Sequence, residues 1–181
     1  MSPRHALLAL LLFLVLTPAA AAAPWVLIDT DRDLVEVRDG GRVVDVFEDI
    51  SWGRGGVADL HLNGDDTTPT GDYRVTRIDR SSRFHVFIGL DYPTLEHLSR
   101  AYQRGVIDNA RYRELRDIAY AGRPLPQDTV LGGYIGLHGL GRADPEWHER
   151  FHWTEGCVAL TDAQIDQLLS YIHEGSRVVI R

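Results

Sequence analysis

The chain has 181 residues, a formal net charge of −7 at neutral pH and a single cysteine. An acidic balance of that size argues against nucleic acid and anionic lipid as main partners, and one cysteine excludes an intramolecular disulfide. Stability must come from packing, and the length suits one domain with its own core.

Met1–His5 carries Arg4, Ala6–Leu16 is almost wholly aliphatic and residues 19–23 are all alanine. This charged, apolar, small-residue order predicts a secretory signal peptide over residues 1–23. Its apolar core of about eleven residues falls short of the roughly 20 that span a bilayer as a helix. The expected product is an exported protein of the periplasm or cell envelope, soluble after signal removal, with one domain over residues 24–181.

Trp25–Asp29 and Leu34–Arg38 read as strands, Asp39-Gly40-Gly41 as a hairpin turn and Arg42–Ile50 as the returning strand. Ser51–Asp66 reads as loop and Thr67–Gly71 as a turn. Tyr73–Ile78 and Phe84–Leu90 then alternate as strands. Helical spacing follows at Leu95, Leu98 and Tyr102, closed by Gly105, and at Tyr112, Leu115 and Ile118, closed by Gly122. These predict a helical insert at about 94–122. Leu131–Leu137 returns to strand character. Thr161-Asp162-Ala163-Gln164 matches a capping box for one packing helix, and Val178–Ile180 is a last strand. The expected class is mainly β with a helical insert and one C-terminal packing helix.

A lone thiol in an exported chain is either inert or working. Cys157 follows Gly156 and precedes Val158-Ala159-Leu160, which predicts a tight turn entering a buried strand. His138, in Tyr134-Ile135-Gly136-Leu137-His138-Gly139, stands at the end of an apolar strand and is the best base in the sequence. If the two strands pair, imidazole and thiol meet at a strand-end cleft, with the Gly156 and Cys157 amides as an oxyanion hole. On residue chemistry alone, a buried inert cysteine beside a core histidine is an equal alternative.

His138-Gly139, a spacer, and Thr154-Glu155-Gly156-Cys157 together resemble the signature of the L,D-transpeptidase (YkuD) catalytic domain. Thr68-Pro69-Thr70-Gly71-Asp72-Tyr73 resembles that family's Thr-Pro-x-Gly-x-aromatic segment, and the resemblance spans the mature chain. It implies a YkuD-type β-sandwich or barrel-like domain and cysteine-dependent acyl transfer on peptidoglycan stem peptides. By the same resemblance, Cys157 is the nucleophile, His138 the base and the Gly139 carbonyl the third member. Gly156, Thr154 and Glu155 line the oxyanion and substrate side, and neither metal nor organic cofactor takes part. Glu155 and Ala159 stand where many members carry histidine and arginine, and this form resembles the YafK-like branch. Hydrolysis of peptidoglycan-peptide or lipoprotein links therefore stays open beside transpeptidation, with a peptidoglycan-linked lipoprotein as a further partner. Arg142 and Arg150 are candidates to replace the missing arginine.

Two readings of other classes compete. His148-Glu149-Arg150-Phe151-His152 spells the H-E-x-x-H pattern by which zinc peptidases place two ligands on one helical face, with Glu174 as a remote third ligand. The segment leaves room for barely two turns, which favours a polar lid with two solvent-facing histidines. The other reading is a non-catalytic peptidoglycan-binding module on the same fold.

Overall fold

The structure, a computed structural model, describes residues 23–181; the expected signal peptide lies outside these residues apart from Ala23. It opens with an antiparallel meander of β1 (Trp25–Asp29), β2 (Leu34–Asp39) and β3 (Arg42–Glu48). Within the following loop, β4 (Val57–Ala58) pairs in parallel with β5 (Thr68–Pro69), where a turn is expected from sequence. Gly53 permits this close approach, since a Cβ there would lie 2.1 Å from the Asp66 carbonyl oxygen.

Next come β6 (Gly71–Asp79) and β7 (Phe87–Leu90). The latter starts three residues later than its apolar pattern suggests, because His85 adopts a φ of +69° and leaves the extended conformation. The insert is α1 (Leu95–Gln103) and α2 (Asn109–Tyr120), capped by Thr94 and Asp108. Strand β8 (Gly136–His138) is shorter than the expected Leu131–Leu137, since Gly132 at +63° and Tyr134 at +58° turn the backbone away. The chain finishes with α3 (Pro145–Arg150), β9 (Val158–Ala159), α4 (Asp162–Leu168) and β10 (Arg177–Ile180). The capping box expected at Thr161 and Gln164 starts α4.

One mixed eight-stranded sheet has the order β3-β2-β1-β10-β6-β7-β8-β9. Its two edges meet just past β3, where Ser51 exchanges both backbone hydrogen bonds with Ala159 of β9, at 3.0 and 2.7 Å. That bridge joins the two edges at one point, in keeping with the β-sandwich or barrel-like domain that the family resemblance implies, and leaves both edges partly covered. Val26, Val35, Val37, Phe47, Ile88, Leu137, Val158 and Leu160 then share one core, onto which α4 packs Ile165 and Leu168.

The insert has its own smaller core, in which Leu98, Ala101, Ile107 and Leu115 meet Leu60 and Leu131 of the flanking loops. It is pinned to the sheet by His97, 1% exposed, whose ring stacks on Tyr73 and lies 3.1 Å from the Thr70 carbonyl oxygen. Among the described residues no helix is long and apolar enough to cross a membrane.

Candidate active site

Strands β8 and β9 pair in parallel, with Leu137 opposite Val158 and His138 opposite Ala159. This register sets His138 at the end of β8 and Cys157 just before β9. Both line one cleft of about 1150 Å³, together with Arg77, Phe84, Tyr134, Trp153 and Glu155. His138 is 2% exposed, stacked on Phe84 at 4.2 Å and met edge-on by Trp153 at 5.8 Å. Its Nδ1 lies 2.7 Å from the Gly139 carbonyl oxygen. A carbonyl can only accept, so Nδ1 carries the proton and Nε2 keeps its lone pair. Burial holds the ring below the ordinary histidine range, against the pull of the Gly139 carbonyl and with help from His148 and Arg83. The imidazole is therefore neutral at neutral pH and competent as a base.

The Gly139 carbonyl is itself held in place. Asp162, the first residue of α4, accepts the Leu140 N–H at 2.7 Å and the Gly141 N–H at 3.0 Å. Only a glycine fits beside that carboxylate, since a Cβ on Gly139 would lie 2.5 Å from Asp162 Oδ1.

Cys157 is half-buried and its Sγ donates to the Tyr134 carbonyl oxygen at 3.3 Å. Burial pushes the thiol up to about 12; the Glu155 carboxylate adds to this and a backbone hydrogen bond at Gly136 opposes it. The cleft therefore holds a neutral thiol and a neutral imidazole. The turn preceding the thiol is tightly built. Gly156 has a φ of +120°, and a Cβ there would sit 2.7 Å from the Thr67 carbonyl oxygen. Thr154 Oγ1 donates to the Cys157 carbonyl at 2.6 Å and accepts the Gly156 N–H at 3.2 Å. Thr68, from the Thr-Pro-x-Gly segment, donates to the Gly156 carbonyl at 2.9 Å. Of the two amides expected to form an oxyanion hole, that of Gly156 is thus engaged. The Cys157 N–H makes no protein hydrogen bond among the described residues.

The family model for the L,D-transpeptidase catalytic domain (YkuD) matches residues 23–180. The chain belongs to the YkuD family. No curated protein matches it. Among solved structures it is similar to the helical cell shape determining protein Pgp2 from Campylobacter jejuni, at 18% identity and a TM-score of 0.59, over 88% of this chain and 47% of that one. It is also similar to Bd1075 from Bdellovibrio bacteriovorus, at 17% identity and a TM-score of 0.57, over 90% of this chain and 49% of that one. The chain thus spans about half the length of these structures, and at such identities the likeness shows the fold.

Within this YkuD domain the two unusual positions have physical explanations. Ala159 is fully buried in the Ser51 bridge that closes the sheet, where an arginine side chain has no room. Glu155 projects into solvent, its side chain 80% exposed, with Arg54 3.9 Å away. Neither Arg142 nor Arg150 lines the cleft with Cys157; Arg54, Arg77 and Arg83 do.

The H-E-x-x-H pattern fails geometrically. Helix α3 stops at Arg150 and Phe151 is extended, so His148 and His152 do not share a helical face. Nor are both histidines solvent-facing: His148 is 4% exposed with Nδ1 taken by the Trp153 indole N–H at 3.3 Å, while His152 stacks on Trp52 at 3.5 Å. The structure also brings in His61, to which sequence reading assigns no role. It is 4% exposed, lines the cleft, and has Nδ1 2.8 Å from the Thr67 carbonyl oxygen and 2.9 Å from Asp65. Its spacing from Gly156 and Gly132 carries no periodic signal, so only the folded chain reveals it.

Proposed function

We propose that this chain is a cysteine-dependent acyl-transfer enzyme acting on peptidoglycan stem peptides in the cell envelope, exported by a signal peptide over 1–23 and folded as one domain over 24–181. The observation that carries the reading is the His138 ring, its Nδ1–H fixed by Gly139 and its Nε2 left basic, on the wall of the cleft that holds Cys157. In the first half-reaction the Cys157 sulfur bonds to the substrate carbonyl carbon while its proton passes to His138 Nε2. Negative charge builds on the carbonyl oxygen, where the unengaged Cys157 N–H stabilises it. Collapse breaks the carbon–nitrogen bond, and the leaving amine takes the proton from His138. The thioester is then resolved by an amine, giving transpeptidation, or by water, giving hydrolysis of a peptide or lipoprotein link. Each resolving nucleophile returns its proton through His138 and regenerates the thiol. Glu155 and Thr154 serve the site differently, Glu155 at the mouth of the cleft and Thr154 as the clamp of the turn.

The test is incubation with a carbapenem and with defined muropeptides, followed by intact and peptide mass spectrometry. A covalent adduct on Cys157, lost in Cys157→Ala and strongly slowed in His138→Gln, is the expected result. Product masses then separate transfer from hydrolysis. Absence of any adduct on the folded protein, or turnover that survives Cys157→Ala and stops with a chelator, would replace this reading with a binding module or a metallopeptidase.

A further inference from the structure

A second groove, of about 710 Å³, adjoins the thiol cleft and shares Arg77, Phe87, Gln127, Tyr134 and Ile135 with it. Its floor is the outward face of β6 and β7, and its far wall is the helical insert from Thr94 to Glu96 and from Ala119 to Leu125. Three arginines line it: Arg74 and Arg77 from β6 and Arg123 from the end of the insert. None of the three guanidinium groups makes an ion pair or a hydrogen bond among the described residues. Two of the three acids of the groove are paired with arginines outside it, and the third bonds a backbone amide. Asp72 is held by Arg177, Glu96 pairs with Arg100, and Asp91 accepts the Arg74 backbone N–H at 2.8 Å. A chain of net charge −7 thus keeps three unpaired guanidinium groups in a groove beside its only thiol, where Asp91 is the one lining acid without a cationic side-chain partner among the described residues.

Arg77 is seated by the sheet itself. It pairs across the ladder with Gly89, and a Cβ at Gly89 would lie 3.1 Å from Arg77 Cγ. The glycine lets the arginine stem lie flat over β7, and the guanidinium rests 5.1 Å from the Phe87 ring centroid. Arg74 stands three residues earlier on the strand, and the register shift between Val75 and Arg77 brings both arginines to the groove face, with their roots under about 10 Å apart. Cations spread along an apolar-walled groove fit separate carboxylates on an extended chain better than one compact phosphate.

We propose that this groove is a second subsite, which receives a carboxylate-bearing peptide chain running from the thiol cleft beneath the helical insert, with Arg77 at the junction and Arg74 and Arg123 along its length. The proposal rests on the acyl-transfer reading, for which it names a substrate class: stem peptides with free carboxylates rather than amidated ones. It also supplies carboxylate recognition that the buried Ala159 position does not.

The test measures affinity by calorimetry on the Cys157→Ala chain, using one stem tetrapeptide with free carboxylates and its fully amidated counterpart. Arg77→Gln and Arg123→Gln should each weaken binding of the free peptide about tenfold, as expected for a lost charged hydrogen bond, and leave the amidated peptide unchanged. Gly89→Ala, which displaces the Arg77 stem, should reproduce the Arg77→Gln effect. Equal losses for both peptides, no loss for either, or competition by inorganic phosphate at the peptide's own affinity would overturn the proposal. Carbapenem acylation of Cys157, followed separately in the Arg123→Gln chain, whose arginine lies outside the thiol cleft, should proceed at the parental rate. Failure of acylation in the parent would sink the acyl-transfer reading without touching the carboxylate discrimination.

Discussion

At the scale of single residues, the thiol is the informative group. Burial has raised it to about 12, so the thiolate is scarce at neutral pH and its fraction grows roughly tenfold per pH unit until that value is approached. Alkylation of Cys157 by iodoacetamide should therefore accelerate steadily from about pH 7 to about pH 10. A rate that levels off near neutrality, read by intact mass, would show a preformed thiolate and contradict the neutral pair. His138, held below the ordinary histidine value by burial, stays neutral until the solution is clearly acidic. The placement of Cys157 before a short buried strand and of His138 at the end of its neighbour was legible in the sequence, because glycine turns and apolar runs mark both. His61, Phe84 and Tyr134 were not legible as site residues. Phe84 reads as the start of a strand and Tyr134 as the middle of one, and the positive φ values at His85 and Tyr134 take both segments out of the extended conformation.

At the scale of elements, α4 does more than cover the core. Its first residue, Asp162, binds two amides of the turn after His138 and so fixes the carbonyl that orients the ring. Asp162→Ala should cost about 1–3 kcal/mol in a thermal or denaturant melt, the usual contribution of hydrogen bonds to a charged group. It should also slow carbapenem acylation of Cys157 more than it weakens stem-peptide binding. Equal effects on both, or a destabilised protein with unchanged acylation, would reduce Asp162 to an ordinary cap. The same element shows what periodicity conveys: the capping box and the apolar stripe of α4 announce the helix, while its contact with a turn some twenty residues earlier has no local signature. The helical insert was legible for the same reason as α4, but its service as a groove wall depends on His97 reaching Tyr73 and Thr70.

At the scale of the molecule, the mainly β class and the order of elements follow from alternating apolar runs, whereas the strand order of the sheet does not. Strand β10 pairs in parallel with β1 and antiparallel with β6, and so joins β3-β2-β1 to β6-β7-β8-β9. No disulfide backs up this junction, because the chain has one cysteine. Truncation after Ser176 should abolish the cooperative unfolding transition seen by circular dichroism, while reductant should leave the melting temperature of the intact chain unchanged. A truncated chain that still melts cooperatively would mean that β1 and β6 can pair directly.

The placement of β10 has a consequence for how the chain is born. A growing polypeptide has already released both halves of the sheet when the strand between them is still inside the ribosome, and the pairing that unites them spans about 150 residues of sequence, the kind of contact that forms slowly. Until Ile180 emerges, the sheet lacks the strand between its halves, and only the Ser51–Ala159 bridge and the shared core are there to hold them together.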